Sequence, residues 1–134
     1  MINNFKYPLL TNAFSTNDIN AGINVLRSKR LTMSKITKKF ENIFAKQIGA
    51  KYALMTNSGS SANLLAVSCL TNPLLKNKIP AGSEVIIPAI CWSTSLWPII
   101  QNNLKPVFVD VELETFNIDV ESIEKKITKK TKAI

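Results

Sequence analysis

Residues 57–62 read Asn-Ser-Gly-Ser-Ser-Ala, a run of small polar residues around one glycine. An apolar stretch at residues 52–56 precedes it and reads as a short strand. The apolar residues that follow, to about Leu70, read as a helix. A turn at the carboxyl end of a parallel-type strand is where α/β folds receive ligands. Gly59 lets a ligand approach the backbone closely. Ser60 and Ser61 would offer hydroxyls and free amide N–H groups at a helix N-terminus, whose unpaired donors and dipole favour a phosphate. The turn is not a P-loop, because no Lys follows a glycine. With one glycine instead of three, it is not a dinucleotide fingerprint. Spacing alone leaves two readings open, a phosphate site and a plain helix cap on a tight turn.

Trp92 follows a β-branched strand at residues 84–87 and should emerge at the same sheet edge as the serine turn. Its ring could stack on a cofactor or a base there, and the competing reading is a core tryptophan. Trp97 has no such edge position and reads as packing. Asp110, Glu112, Glu114 and Asp119 form an acidic stretch. A calcium loop starting at Asp110 would need a glycine at its sixth position, where Thr115 stands, although Glu121 fills the twelfth. The stretch therefore reads as a polar strand-to-helix loop. With no histidine and two distant cysteines, neither a zinc site nor a Ser-His-Asp triad has its parts.

The elements that must hold these residues alternate along the chain. Ser15, with Asp18 three residues on, forms a capping box before Ile19, Ile23 and Leu26 at helical spacing. A basic turn at residues 28–30 ends that helix. Ser34 caps the next one, whose apolar face is Ile36, Phe40, Phe44 and Ile48, and Gly49 stops it. Residues 93–103 read as a helix that either starts late, with Pro98 in its first turn, or kinks at Pro98. Residues 106–109 form a third strand, and Asp119 caps a helix carrying Val120, Ile123 and Ile127. Residues 131–134 read as the beginning of another strand. Strands separated by helices imply βαβ units and a mostly parallel sheet. The expected division is an N-terminal helical arm over 1–50 and an α/β domain over 51–134, cut off at its C-terminal end. A sheet ending on an unpaired strand is unusual for a finished domain.

Composition narrows the field. Of 134 residues, 46% are hydrophobic and 19% charged, which suits a packed domain better than disorder. No run is long and apolar enough to span a membrane, and residues 1–10 lack the pattern of a secretory leader. Cys69 and Cys91 sit in apolar segments and are expected as buried thiols in a reducing compartment, the cytoplasm. The net charge of +8 invites a nucleic-acid reading. The excess is concentrated in Lys125, Lys126, Lys129, Lys130 and Lys132, with Glu121 and Glu124 just before them on a solvated helix face. No basic stripe interleaved with aromatics is present, so neither a nucleic acid nor a membrane is expected as partner.

The run Asn57-Ser58-Gly59-Ser60-Ser61-Ala62-Asn63-Leu64-Leu65 resembles the cofactor-phosphate turn of the DegT/DnrJ/StrS family of sugar aminotransferases and related dehydratases. Ile87-Pro88-Ala89-Ile90-Cys91-Trp92 is similar to the family segment that brings an aromatic ring over the pyridoxal. Residues 106–111, 115–119 and 131–134 are similar to the strand, loop and strand that follow. Leu31-Thr32-Met33 and Phe40-Glu41 match in kind and order. The resemblance spans nearly the whole chain. It implies a fold of the aspartate-aminotransferase type (fold type I), here the first part of the large domain, with a mostly parallel sheet and flanking helices.

It further implies pyridoxal 5'-phosphate and pyridoxamine 5'-phosphate as cofactors. Gly59, Ser60 and Ser61 would hold the phosphate and Trp92 would stack on the ring. The implied substrates are nucleotide-linked 4-keto-6-deoxy sugars, used in cell-surface polysaccharide or deoxysugar biosynthesis, with an amino donor such as glutamate and a homodimer for the full-length protein. The implied reaction is first an aminotransferase and alternatively a sugar 3-dehydratase. In the family, the aspartate for the pyridine nitrogen and the Schiff-base lysine, or the histidine replacing it, lie farther along the chain. No catalytic residue is therefore expected within this segment, which by itself would be inactive. Lys51, Lys76 and Lys78 do not match the family lysine. A non-catalytic binding or assembly module with the same fold is the alternative from another class.

Overall fold

The computed structural model describes residues 10, 11 and 13–134, and the reading of residues 1–10 as lacking a leader falls, but for Leu10, outside them. The chain divides into two compact units, one ending at Met55 and the other running from Thr56 to Ile134.

The first unit carries α1 (Thr16–Arg27) and α2 (Lys35–Gln47). The expected capping box is present: Ser15 Oγ accepts from the Asp18 N–H at 3.2 Å, while Asp18 Oδ2 accepts from the Ser15 N–H at 2.8 Å. Ser34 caps α2 through the Thr37 N–H. Phe40 and Phe44, one turn apart, stack at 5.7 Å between ring centroids. Gly49 takes φ +70° just past the end of α2. The Ala50 N–H bonds the Ala45 carbonyl and the Gly49 N–H bonds that of Lys46, the two reversed bonds of a Schellman motif.

Residues 52–56 depart from expectation, because no strand forms there. A strand exists only against a partner that takes up its backbone groups, and no described segment pairs with this one. Instead the Met55 N–H donates to Glu41 Oε1 of α2 at 2.9 Å.

The second unit holds α3 (Gly59–Thr71), β1 (Glu84–Pro88), α4 (Ser93–Gln101), β2 (Lys105–Val109), α5 (Val120–Lys126) and β3 (Thr131–Ala133). The sheet order is β2-β1-β3, all parallel, with Val85 opposite Pro106 and Ile87 opposite Phe108. This is the expected βαβ pattern. The central strand is Glu-Val-Ile-Ile-Pro, and its first four residues are buried, as a parallel strand covered on both faces requires. Val85 and Ile87 pack with Ile99 of α4 and with Leu104, and Val67 of α3 and Leu96 of α4 close over them. Glu84, though buried, accepts from Thr128 Oγ1 at 2.6 Å and lies 3.8 Å from Lys105 Nζ, so its charge has partners on both flanks of β1. Lys125 and Lys126 fall in the last turn of α5, where the helix dipole favours cations.

Two further expectations fail in this unit. Cys69 and Cys91 are exposed free thiols, not buried ones. Cys69 stands on α3, no residue of which is buried, so an apolar neighbourhood in sequence did not become cover in space. Trp97, expected to be packed, is half exposed in this chain.

Candidate functional site

The helix at Gly59 begins where the serine turn predicts it. Ser58 is the N-cap, and its Oγ accepts from the Ser61 N–H at 3.2 Å and donates to Ser61 Oγ at 3.1 Å. The Ala62 N–H is taken by the Ser58 carbonyl. The N–H groups of Gly59 and Ser60 have no partner among the described residues. These two amides, at the positive end of a 13-residue helix, are the open anion donors of the turn. Of the two donors expected of Ser61, the amide is taken by Ser58 Oγ, while the hydroxyl accepts from Ser58 and keeps its own proton to donate. The signal for that was in the sequence, since Ser58 stands three residues before Ser61, the spacing of an N-cap.

The second helix terminus comes alongside. α4 starts at Ser93 with Trp92 as its N-cap, and no side chain caps it. Trp92 is 77% exposed, so no described element of this chain covers its ring. Asn63 Nδ2 on α3 donates to the Thr94 carbonyl in the first turn of α4 at 3.4 Å. At the other end of both helices Thr71 Oγ1 donates to Asn102 Oδ1 at 3.0 Å. The two bonds join start to start and end to end, so α3 and α4 run in the same direction. Both N-termini therefore lie at the carboxyl edge of β1, where a parallel sheet presents its ligand crevice.

Between them lies a cavity of about 260 Å³ lined by Ser60, Ser61 and Leu64 from α3 and by Thr94, Trp97, Pro98 and Gln101 from α4. Ser60 and Ser61 reach it as expected, and Trp97 lines it against expectation. Gly59 and Trp92 stand beside it on the same two helix starts without lining it. The acidic stretch does not join this site. Asp110, at the end of β2, accepts the Val111 N–H on Oδ1 at 2.8 Å, and its carbonyl accepts from Asp119 N–H. Val111 and Ile118 bridge across the loop between them. Asp119 caps α5 through the Glu121 and Ser122 N–H groups. The Ser122 hydroxyl bonding Asp119 holds that carboxyl below its ordinary range, with smaller help from the backbone bonds and Lys125. Among the described residues no group of three or more His, Cys, Asp or Glu could hold a metal ion.

The arrangement offers two open amides for a phosphate and an exposed indole one helix away, and it fits a phosphorylated planar heterocycle. Residues 13–134 match the family model described as the DegT/DnrJ/EryC1/StrS aminotransferase family. The chain belongs to that family. The GDP-4-keto-6-deoxy-D-mannose 3-dehydratase of Escherichia coli O55:H7 is 42% identical over 129 residues, which are 96% of this chain and 33% of that protein. A solved structure of the E. coli GDP-4-keto-6-deoxy-D-mannose-3-dehydratase with bound hydrated PLP superposes with a TM-score of 0.87, over 96% of this chain and 33% of the other. The UDP-4-amino-4-deoxy-L-arabinose–oxoglutarate aminotransferase of Shewanella sediminis is 34% identical over 127 residues, 95% of this chain and 31% of that protein. The chain thus spans about a third of the length of the family members it matches. The fold of this family is the PLP-dependent fold type I, and the parallel sheet with flanking helices seen here is its partial form. Among the described residues no helix is long and apolar enough to cross a membrane.

Proposed function

We propose that this chain is the N-terminal portion of an enzyme dependent on pyridoxal phosphate and pyridoxamine phosphate, acting on a nucleotide-linked 4-keto-6-deoxy sugar. Residues 51–134 form the first part of its cofactor domain, behind a helical arm over 1–50. The observation that carries the reading is the pair of open amides at Gly59 and Ser60 beside the exposed ring of Trp92. Gly59 and Ser60 hold the cofactor phosphate through these N–H groups, with the Ser60 hydroxyl as a further donor. Ser61 adds its hydroxyl proton, since its oxygen accepts from Ser58 and its own O–H stays free, while its amide is held by the cap. Trp92 would stack on the pyridine ring and keep water from it. Bound there, the cofactor supplies an electron sink for bond breaking next to the sugar carbonyl.

Between the two reactions of the family, we favour removal of the sugar's 3-hydroxyl, although the sequence alone put amino transfer first. Over nearly the same span, identity to the dehydratase is 42% against 34% to the aminotransferase. The favoured substrate is a GDP-linked 4-keto-6-deoxymannose. Glutamate as amino donor, a homodimer and a cytoplasmic site of action complete the proposal. Amino transfer stays the second reading because the aminotransferase relative matches 95% of the chain against 96% for the dehydratase.

The test is product analysis with the complete protein, glutamate and the GDP-linked ketosugar. A product lacking the oxygen at C3 supports the dehydratase, and one carrying nitrogen at C4 with its 3-hydroxyl intact makes the protein an aminotransferase. No turnover together with no cofactor binding would sink both and leave a non-catalytic module.

A further inference from the structure

Asn63 and Pro98 have no task in holding a cofactor, yet they meet at one atom. Pro98 lies inside α4. In an α-helix the N–H four residues on bonds each carbonyl, and a proline there has no N–H to give. The carbonyl deprived by Pro98 is that of Thr94. Asn63 of α3 donates to this same oxygen, its Nδ2 standing 3.4 Å away. The pyrrolidine ring also crowds the carbonyl four residues back and tips it away from the helix axis, which turns it toward a neighbouring donor. Asn102 secures the next turn, with its Nδ2 donating to the Pro98 carbonyl at 2.8 Å and its Oδ1 accepting from Thr71. Each end of the helix pair is thus pinned by one inter-helix hydrogen bond, and only the Asn63 pin lies at the end that carries Gly59, Ser60 and Trp92.

We infer that Asn63 is a positioning residue: by capturing the Thr94 carbonyl that Pro98 sets free, it fixes the start of α4, and with it Trp92, against the phosphate-binding start of α3. The inference rests on the cofactor reading above for what Trp92 does. Proline removes a donor within α4, and asparagine supplies one from α3, so a contact that would have been internal to one helix becomes a link between two. Trp92 has no side-chain cap bond to hold its turn otherwise.

The experiment uses the complete protein in a Trp97→Phe background, so that Trp92 is the tryptophan next to the site. Binding of pyridoxamine phosphate is followed by quenching of its fluorescence, and binding of inorganic phosphate by competition. Asn63→Leu should weaken pyridoxamine phosphate binding about tenfold, the effect of leaving one polar group unpartnered, with diminished maximal quenching. It should leave inorganic phosphate affinity unchanged, since the amides of Gly59 and Ser60 are untouched. Pro98→Ala restores the internal donor to Thr94, so the double variant Asn63→Leu/Pro98→Ala should recover most of the lost affinity and quenching. Thr71→Val, which breaks the pin at the far end, should leave both readouts as they were. Unchanged binding in Asn63→Leu, or a loss that Pro98→Ala does not suppress, overturns the inference, the latter showing that Asn63 touches the ligand itself. Failure of the parent protein to bind pyridoxamine phosphate would instead overturn the cofactor reading.

Discussion

A side-chain carbon built on Gly59 meets nothing within 4 Å, and Gly59 does not have the positive φ that Gly49 and Gly82 show. Neither the fold nor the backbone therefore requires glycine there. What a methyl group would meet is a ligand drawn up to the amides of Gly59 and Ser60, at hydrogen-bond distance from the chain. Gly59→Ala should leave the helix intact and stability unchanged or raised by up to about 1 kcal/mol, because alanine loses less entropy on folding. The same change should weaken pyridoxamine phosphate binding by about tenfold or more. Thermal melting and a binding titration on one sample check both halves. A variant that binds as well as the parent would show that no ligand approaches this turn closely. The placement of Gly59, Ser60, Ser61 and Trp92 at two helix starts was legible in the sequence, because a glycine-serine turn and an aromatic after a strand are local patterns. The engagement of Ser61 by Ser58 was legible too, in the three-residue spacing. The exposure of Trp97 was not, since it depends on where α3 lies against α4.

Helix starts were the most readable elements of this chain, because a cap is decided within four residues. Ser15, Ser34 and Asp119 all cap the helices expected of them. The extended segment at 52–56 failed for the converse reason, since its partner cannot be read from its own residues. Two of the caps carry a pH signature. The carboxyl of Asp119 is held below its ordinary value of 3.8, first by the Ser122 hydroxyl, and Asp18 is held low in the same way by Ser15. A carboxyl whose pKa falls on folding stabilises the fold fully above its unfolded pKa. That contribution disappears as pH drops through the lower folded value. In carboxyl-detected NMR titration, Asp119 should titrate below the usual carboxylate range, and Ser122→Ala should move it upward. The melting advantage of the parent over Asp119→Asn should be present at pH 6 and shrink as the pH falls below about 4. A titration unmoved by Ser122→Ala would remove the serine as the cause.

Neither unit covers its own apolar surface. In the unit ending at Met55, the face of α2 formed by Ile36, Phe40, Phe44 and Ile48 lies open, and so do Tyr52, Leu54 and Met55 after it. In the unit from Thr56, α3 carries Leu64, Leu65, Val67 and Leu70 on more than one face yet has no buried residue, as expected of a helix made to be surrounded. β2 and β3 each have one side of the ladder unpaired among the described residues, and Phe108 on β2 is half exposed. Isolated exposed apolar side chains are ordinary on any protein; contiguous ones on a helix face and beside open sheet edges are a surface awaiting cover. With a third of the family length present, the proposed source of that cover is the remaining two thirds and the second subunit. The 134-residue chain alone should therefore bind the dye ANS strongly and melt without a sharp transition, whereas the complete protein should bind little dye and unfold cooperatively. If the short chain instead excludes the dye and melts sharply, its helices must repack onto one another. The open faces of α2 and α3 would then be closed from within, and the case for a larger assembly around them would fall.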